Sequence, residues 1–370
     1  MGFIDVIKGF SPSNVKKEIH TKSKRDVQKA LCSLRPTVSD LMALLSPAAS
    51  EFLEPMAQLS HKITRQRFGN IILLFTPLYI SNECINACKY CAFSKKNKIE
   101  RKTLTLDEIE QEALLLHKRG FRHILVLTGE HPKNAGISYL EAAIRRIRHL
   151  FSSMSIEVFP MDLAGYELMV NSGVDGLTVY QETYDREVYK DMHPKGPKSN
   201  YEFRLGAPER GAKAGMRRIG LGVLLGLCDF RVDAFFLGLH ALYLAKHYWK
   251  SHITISFPRL RPAAGDFNPP YPVSDRNLVQ LICAMRIIMP DVGLVISTRE
   301  GPRLRDNLIP LGITQMSAGS KTSPGGYVTH PESTEQFEIE DTRTPEEICK
   351  VIRKKGYEPV WKDWDPILVG

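Results

Sequence analysis

Residues 70–91 run Asn70-Ile71-Ile72-Leu73-Leu74-Phe75-Thr76-Pro77-Leu78-Tyr79-Ile80-Ser81-Asn82-Glu83-Cys84-Ile85-Asn86-Ala87-Cys88-Lys89-Tyr90-Cys91. The first half is an apolar run of strand length. The second half carries three cysteines, Cys84, Cys88 and Cys91, spaced C-x3-C-x2-C. Thiolates this close together can hold three irons of a cubane 4Fe-4S cluster, which leaves the fourth iron open to another molecule. Zinc is the alternative, but a structural zinc site needs four ligands, usually in two separated Cys or His pairs. No second pair follows here. Cys32, Cys228, Cys283 and Cys349 stand singly and read as small buried apolar residues. Tyr90 sets an aromatic face beside the last cysteine, a shelf on which a flat ring can stack.

Outward from this stretch, strand-length apolar runs recur at 70–80, 121–128, 155–161, 176–183, 218–226, 252–260, 292–298 and 313–320. Amphipathic helical stretches lie between them at 106–119, 139–151, 201–214, 232–248 and 275–289. The first opens with a capping box, Thr105 followed by Glu108, and stops at Gly120. Strands alternating with helices over this length predict an α/β protein built as a (β/α)8 barrel of TIM type. An open doubly wound sheet would want a glycine-rich dinucleotide loop after its first strand, and the cysteine loop stands there instead. Residues 1–69, with helices expected at 39–44 and 47–59, read as a helical N-terminal cap. Residues 70–330 form the barrel. Residues 331–370 form a C-terminal helix (345–355) and a tail docked through Trp361 and Trp364.

Composition narrows the function classes. The chain has 370 residues, 43% of them hydrophobic, enough for a sizeable core. No apolar run approaches the ~20 residues of a membrane span, and the first 21 residues lack a secretory pattern. Seven cysteines without paired spacing argue against a disulfide framework and for a reducing, cytoplasmic setting. The net charge of +9 is spread along the chain without a nucleic-acid-binding signature. Its densest patch, 95–102 beside the cysteines, offers an acidic electron-donor protein a surface or is a solvated loop.

Enzymes on this fold place their chemistry at the C-terminal ends of the strands, and polar residues gather there. Thr128-Gly129-Glu130 ends the second strand, Gln181, Glu182 and Tyr184 the fourth, Ser297-Thr298-Arg299-Glu300 the seventh, and Ser317 to Lys321 the eighth. Arg261 follows the sixth, and glycines at 220, 222 and 226 mark the fifth. Glu182 suits an α-amino group. Arg204, on the next helix, suits a carboxylate or a surface pair with Glu202 or Glu209. Arg299 offers a planar fork of donors for a carboxylate, with Ser317 and Ser320 beside it. The set is equipped for two amino-acid-like ligands. His240 and His252 sit in apolar surroundings and read as packed residues.

Further landmarks are Thr76-Pro77-Leu78-Tyr79-Ile80-Ser81-Asn82, Val179-Tyr180-Gln181-Glu182-Thr183-Tyr184, Ser256-Phe257-Pro258-Arg259-Leu260-Arg261-Pro262, Pro324-Gly325-Gly326-Tyr327 and Val360-Trp361-Lys362-Asp363-Trp364-Asp365. With these segments the chain resembles the radical S-adenosylmethionine superfamily, whose hallmark is C-x3-C-x-aromatic-C. Within it, the chain resembles the 2-iminoacetate synthase family, the tyrosine lyases of thiamine thiazole biosynthesis. The resemblance implies a 4Fe-4S cluster on Cys84, Cys88 and Cys91, with S-adenosyl-L-methionine held by Tyr90, Gly129, Glu130, Glu182 and Arg204. It implies that a 5′-deoxyadenosyl radical takes hydrogen from the amino group of L-tyrosine. The Cα–Cβ bond then breaks to give p-cresol and 2-iminoacetate. Arg299 with Ser317 would hold the tyrosine carboxylate, and Tyr180, Gln181 and Ser320 would line the pocket. The superfamily's Gly-Gly-Glu reads Thr128-Gly129-Glu130 here. Implied partners are a thiazole synthase and a flavodoxin- or ferredoxin-type electron donor. The competing readings are a hydrogenase-maturation tyrosine lyase, a tryptophan lyase, and a non-catalytic iron–sulfur carrier or scaffold. The first would carry extra cysteines, and none follows Cys349.

Overall fold

Eight strands line up in chain order because each apolar run is followed by a helix that carries the chain back to the same end. In the computed structural model, which describes residues 2–265 and 267–362, these are β1 (Ile71–Ser81), β2 (His123–Thr128), β3 (Ser153–Glu157), β4 (Gly176–Glu182), β5 (Arg218–Val223), β6 (His252–Ser256), β7 (Gly293–Ile296) and β8 (Gln315–Ser317). All neighbours pair in parallel, and β1 pairs with both β2 and β8, so the sheet closes into the expected barrel. Several strands stop earlier than their apolar runs suggest. β3 ends at Glu157, β6 at Ser256 and β8 at Ser317, because polar residues beyond those points leave the ladder to form the mouth.

Three crossover helices carry too little amphipathic signal to be read from sequence: Leu163–Ser172, Arg186–Met192 and Pro302–Leu308. The expected helix at 201–214 is two helices, Tyr201–Leu205 and Ala207–Lys213. Pro208 lacks an N–H and starts a new helix more readily than it continues an old one.

The N-terminal cap holds more helix than its sequence suggests: Phe3–Ile7, Pro12–Thr21, Lys24–Leu31, Val38–Leu45 and Leu53–Phe68. Its role follows from the helix Phe230–His247, which is apolar nearly all round and therefore needs cover on both sides. Phe3 stacks on His240 at 3.9 Å, and Phe10 packs edge-on against Phe235 at 5.5 Å. His240 and Tyr184 are thus core residues, joined by a 2.9 Å hydrogen bond. Burial lowers the His240 pKa to about 3.

The C-terminal segment adds a strand that the apolar pattern did not reveal. β9 (Glu358–Val360) pairs with Ile71–Leu73, below the point where β1 meets β2. Trp361 then packs edge-on against Phe121 at 5.0 Å; Asp363, Trp364 and Asp365 lie outside the described residues. The 327–329 loop is fastened by Glu112, a fully buried carboxylate that accepts from the N–H groups of Tyr327 (2.9 Å), Val328 (2.8 Å) and Thr329 (2.7 Å). Tyr327 in turn donates to Pro77 O on β1. Glu112→Ala would strand these donors at a cost of about 3 kcal/mol. A clear drop in the calorimetric melting midpoint is expected, with a smaller drop for Glu112→Gln; an unchanged midpoint would show that the loop is held some other way.

Candidate active site

The loop after β1 is positioned by polar side chains on its outer side. Arg101 donates to the carbonyls of Asn82 (2.9 Å), Phe93 (2.8 Å), Ser94 (2.7 Å) and Asn97 (3.2 Å). The Asn97 amide donates to the carbonyls of Cys91, Ala92 and Ala264. On the inner side, Asn86 donates to Glu130 at 2.6 Å and accepts from Lys198 N at 2.8 Å. Main-chain bonds join Ala87 to Lys195 and Lys89 to Met192. Gly129 is required where it stands, since a Cβ there would lie 2.2 Å from the Glu83 carbonyl oxygen.

Cys84, Cys88 and Cys91 line one recess together with Asn86, Thr128, Gly129, Glu130, Glu182 and Arg204. Burial pushes the Cys88 thiol up to about 12 and raises that of Cys91. Among the described residues, no three Cys, His, Asp or Glu side chains converge on a point that would hold a single metal ion. Three thiols line the recess with no other Cys or His in its wall, which suits a cluster that keeps one position open rather than a closed zinc tetrahedron.

Glu182 stands beside the cysteines with φ 73°, the one left-handed non-glycine residue among those described. Such a conformation costs about 1–3 kcal/mol and persists when the surroundings impose it. Its carboxylate meets Lys198 Nζ at 2.5 Å and Arg204 at 3.7 Å. Burial works against the charge, but Lys198 and Arg204 outweigh it and hold Glu182 below the usual carboxylate range. Arg204 also donates to Tyr180 O at 2.7 Å. It does not pair with Glu202, which meets Arg186, or with Glu209, which accepts from Tyr243. Tyr90 donates to His193 Nε2 at 2.7 Å, because the other ring nitrogen donates to the Tyr189 carbonyl.

A second recess leads inward past Tyr79, Leu127 and Glu157 to Arg299, Ser317 and Ser320, and a third connects the two along Tyr180 and Phe337. The cysteine recess and the inner recess enclose about 630 and 560 Å³, counting space open to solvent. The Arg299 guanidinium lies 3.3 Å over the Phe337 ring and makes no hydrogen bond or ion pair with the described residues. Ser317 Oγ accepts from Thr298 N at 3.0 Å, leaving its proton free to donate. The Ser320 hydroxyl is buried without a partner.

Gln181 departs from expectation. β4 slips register between Tyr180 and Glu182, leaving Gln181 unpaired in the ladder with β5, and its side chain lines none of the three recesses. Arg261 reaches only the connecting recess and pairs with Glu340. The glycines at 220 and 222 make room for Thr178 and the Tyr180 ring rather than for a ligand. Four residues were missed: Asn86, Lys198, Glu157 and Gln336. Gln336 accepts from Tyr79 at 2.6 Å and approaches the Cys91 sulfur at 3.7 Å. Only Glu157 carried a sequence signal, as an acidic residue at the end of a strand.

A barrel with three cysteines on its first loop and a polar chamber at its mouth is the arrangement of a radical S-adenosylmethionine enzyme. The Radical SAM superfamily model matches residues 78–234, and the Biotin and Thiamin Synthesis associated domain model matches residues 256–358. The 2-iminoacetate synthase of Salmonella typhimurium is 46% identical over 354 residues, 95% of this chain and 94% of its own length. That of Escherichia coli K12 is 45% identical over 356 residues, 96% and 94% respectively. The chain belongs to the 2-iminoacetate synthase family. Its fold also matches the FeFe-hydrogenase maturase HydG from Carboxydothermus hydrogenoformans, with a TM-score of 0.85 and 34% identity over 97% of this chain and 82% of that one.

Because the Gly129 position has no space for a methyl group, Gly129→Ala should displace the loop and lower iron incorporation on anaerobic reconstitution. Full iron content in this variant would show that the β2 contact does not set the loop.

Proposed function

We propose that this protein is a radical S-adenosylmethionine lyase that cleaves the Cα–Cβ bond of L-tyrosine to 2-iminoacetate and p-cresol for thiazole formation in thiamine biosynthesis. One observation supports the substrate side above all: Arg299, an unpaired guanidinium beside the free hydroxyls of Ser317 and Ser320, inside the chamber that the cysteines border. A carboxylate is the natural occupant, since an enclosed cation without a counter-charge is costly until one arrives.

Cys84, Cys88 and Cys91 would hold the 4Fe-4S cluster. Tyr90, Gly129, Glu130, Glu182 and Arg204 would hold S-adenosyl-L-methionine, and together these groups supply the hydrogen-abstracting radical. Gly129 lines the recess without a side chain. Glu182 is held ionised by Lys198 and Arg204, so it can accept from a ribose hydroxyl or an amino group. Arg299 and Ser317 anchor the substrate carboxylate, while Leu125, Leu127 and Pro77 give the aromatic ring an apolar wall that excludes water. Tyr180 bridges the inner and connecting recesses and stays a neutral phenol, its pKa raised by burial and by Glu157. Gln181, between the chamber-facing Tyr180 and Glu182, takes no part in this reading.

A flavodoxin- or ferredoxin-type donor would approach the exposed Lys95, Lys96 and Lys98 beside the cysteine loop. Arg101 and Lys102 are engaged with the loop and Glu108 and take no part. A thiazole synthase would consume the imine product, in the cytoplasm. No described helix is long and apolar enough to cross a membrane.

Reconstituted protein should show an EPR signal that changes on adding S-adenosyl-L-methionine. With reductant and tyrosine it should form p-cresol and 5′-deoxyadenosine. Turnover of tryptophan instead of tyrosine would overturn the substrate, and an unaltered EPR signal would overturn the open iron. Arg299→Ala should raise the tyrosine KM about ten- to a hundredfold, as expected for losing about 1.5–3 kcal/mol of charge-assisted bonding. Cys88→Ala should assemble no cluster; normal iron content would contradict the ligand set.

A further inference from the structure

An amino-acid zwitterion carries two charges, and the reading above provides for only one of them. Among the carboxylates around the chamber, Glu182 is paired with Lys198 and Arg204, and Glu130 accepts from Asn86. Glu157 is different. It ends β3 with its side chain turned into the barrel mouth, and its carboxylate makes no hydrogen bond or ion pair with any described residue. Arg299 is the unpaired cation of the same chamber. The two share the inner and connecting recesses without forming an ion pair.

We propose that Glu157 accepts the α-ammonium group of the amino-acid substrate and, with Arg299, clamps the zwitterion at two points. This rests on the tyrosine reading and deepens it. A carboxyl group and a guanidinium that face one cavity without partners are both satisfied at once by a zwitterion. The pairing also fixes direction. Arg299 lines the inner and connecting recesses, whereas Glu157 lines those two and the cysteine recess as well. A ligand spanning the pair therefore presents its nitrogen toward the cysteines and its carboxylate away from them. The atom that must lose hydrogen is thus the one held nearest the source of the radical. Glu157 is easily neutralised when the chamber is empty, as burial and the nearby Glu182 push it up to about 7. An incoming ammonium would favour the charged form.

Reconstituted protein, loaded with S-adenosyl-L-methionine and kept without reductant, can be titrated calorimetrically with tyrosine and with 3-(4-hydroxyphenyl)propionate, which lacks only the amino group. Wild-type protein should prefer tyrosine. In Glu157→Gln that preference should fall at least tenfold, with iron content and S-adenosyl-L-methionine affinity intact. An unchanged preference overturns the assignment, as does a loss of S-adenosyl-L-methionine affinity with the preference kept, which would give Glu157 to that ligand instead. If Glu157→Gln fails to assemble its cluster, Glu157→Asp decides: the shorter carboxylate should weaken the preference several-fold, and an unaltered preference overturns the proposal. Wild-type protein that binds neither ligand removes the tyrosine reading and this inference together. Wild-type preference that the variant keeps unchanged removes this inference alone.

Discussion

Asn86 donates to Glu130 on the loop after β2 and accepts from the backbone of Lys198 on the loop after β4. One amide side chain, set between two of the three cysteines, thereby ties three barrel loops into a single rigid unit. Lys198, fixed by that bond, reaches Glu182, and Glu182 adopts its unusual backbone conformation in contact with it. The closeness of Gly196 to Asn86, where a Cβ would lie 2.3 Å from the amide oxygen, shows how little slack the unit has. Such supporting bonds hold catalytic groups in place as much as the groups' own backbone does.

Around that unit the charges are divided by purpose. Glu182, Lys198 and Arg204 form one paired cluster beside the cysteines, a polar wall with a single net positive charge. Arg299 and Glu157 form no ion pair with the described residues. Deep ion pairs elsewhere are closed: Arg305 with Asp341 ties the C-terminal segment to the barrel, and Arg259 with Glu300 joins the loops after β6 and β7. These two pairs are closed within the fold, whereas Arg299 and Glu157 face the chamber.

Much of this was legible in the sequence, and the gaps have physical causes. The barrel could be read because its strands are buried on both faces and so appear as unbroken apolar runs. The helix Leu163–Ser172 was missed because its apolar residues are not gathered on one face. Cysteines, glycine and arginine at strand ends could be recognised because their chemistry is local. Gln181 was misplaced because strand side chains alternate, and its neighbours Tyr180 and Glu182 both face the chamber. Gln336 was invisible because it lies 245 residues from the cysteine it approaches, and nothing in the intervening chain announces that meeting. Asn86 and Lys198 look like ordinary loop residues until the barrel closes and brings them together.

The seating of β9 against the lower part of β1 has a consequence for biosynthesis. The first barrel strand leaves the ribosome early, yet its partner at Glu358–Val360 emerges 277 residues after Ser81. At about 5–20 residues per second that is a wait of roughly 15–60 s. Throughout it, the apolar edge at Ile71–Leu73 stays unpaired, the kind of exposed strand edge that recruits other chains. The nascent protein thus passes through a long stage in which its cysteine loop already exists but the lower edge of β1 still lacks its last partner.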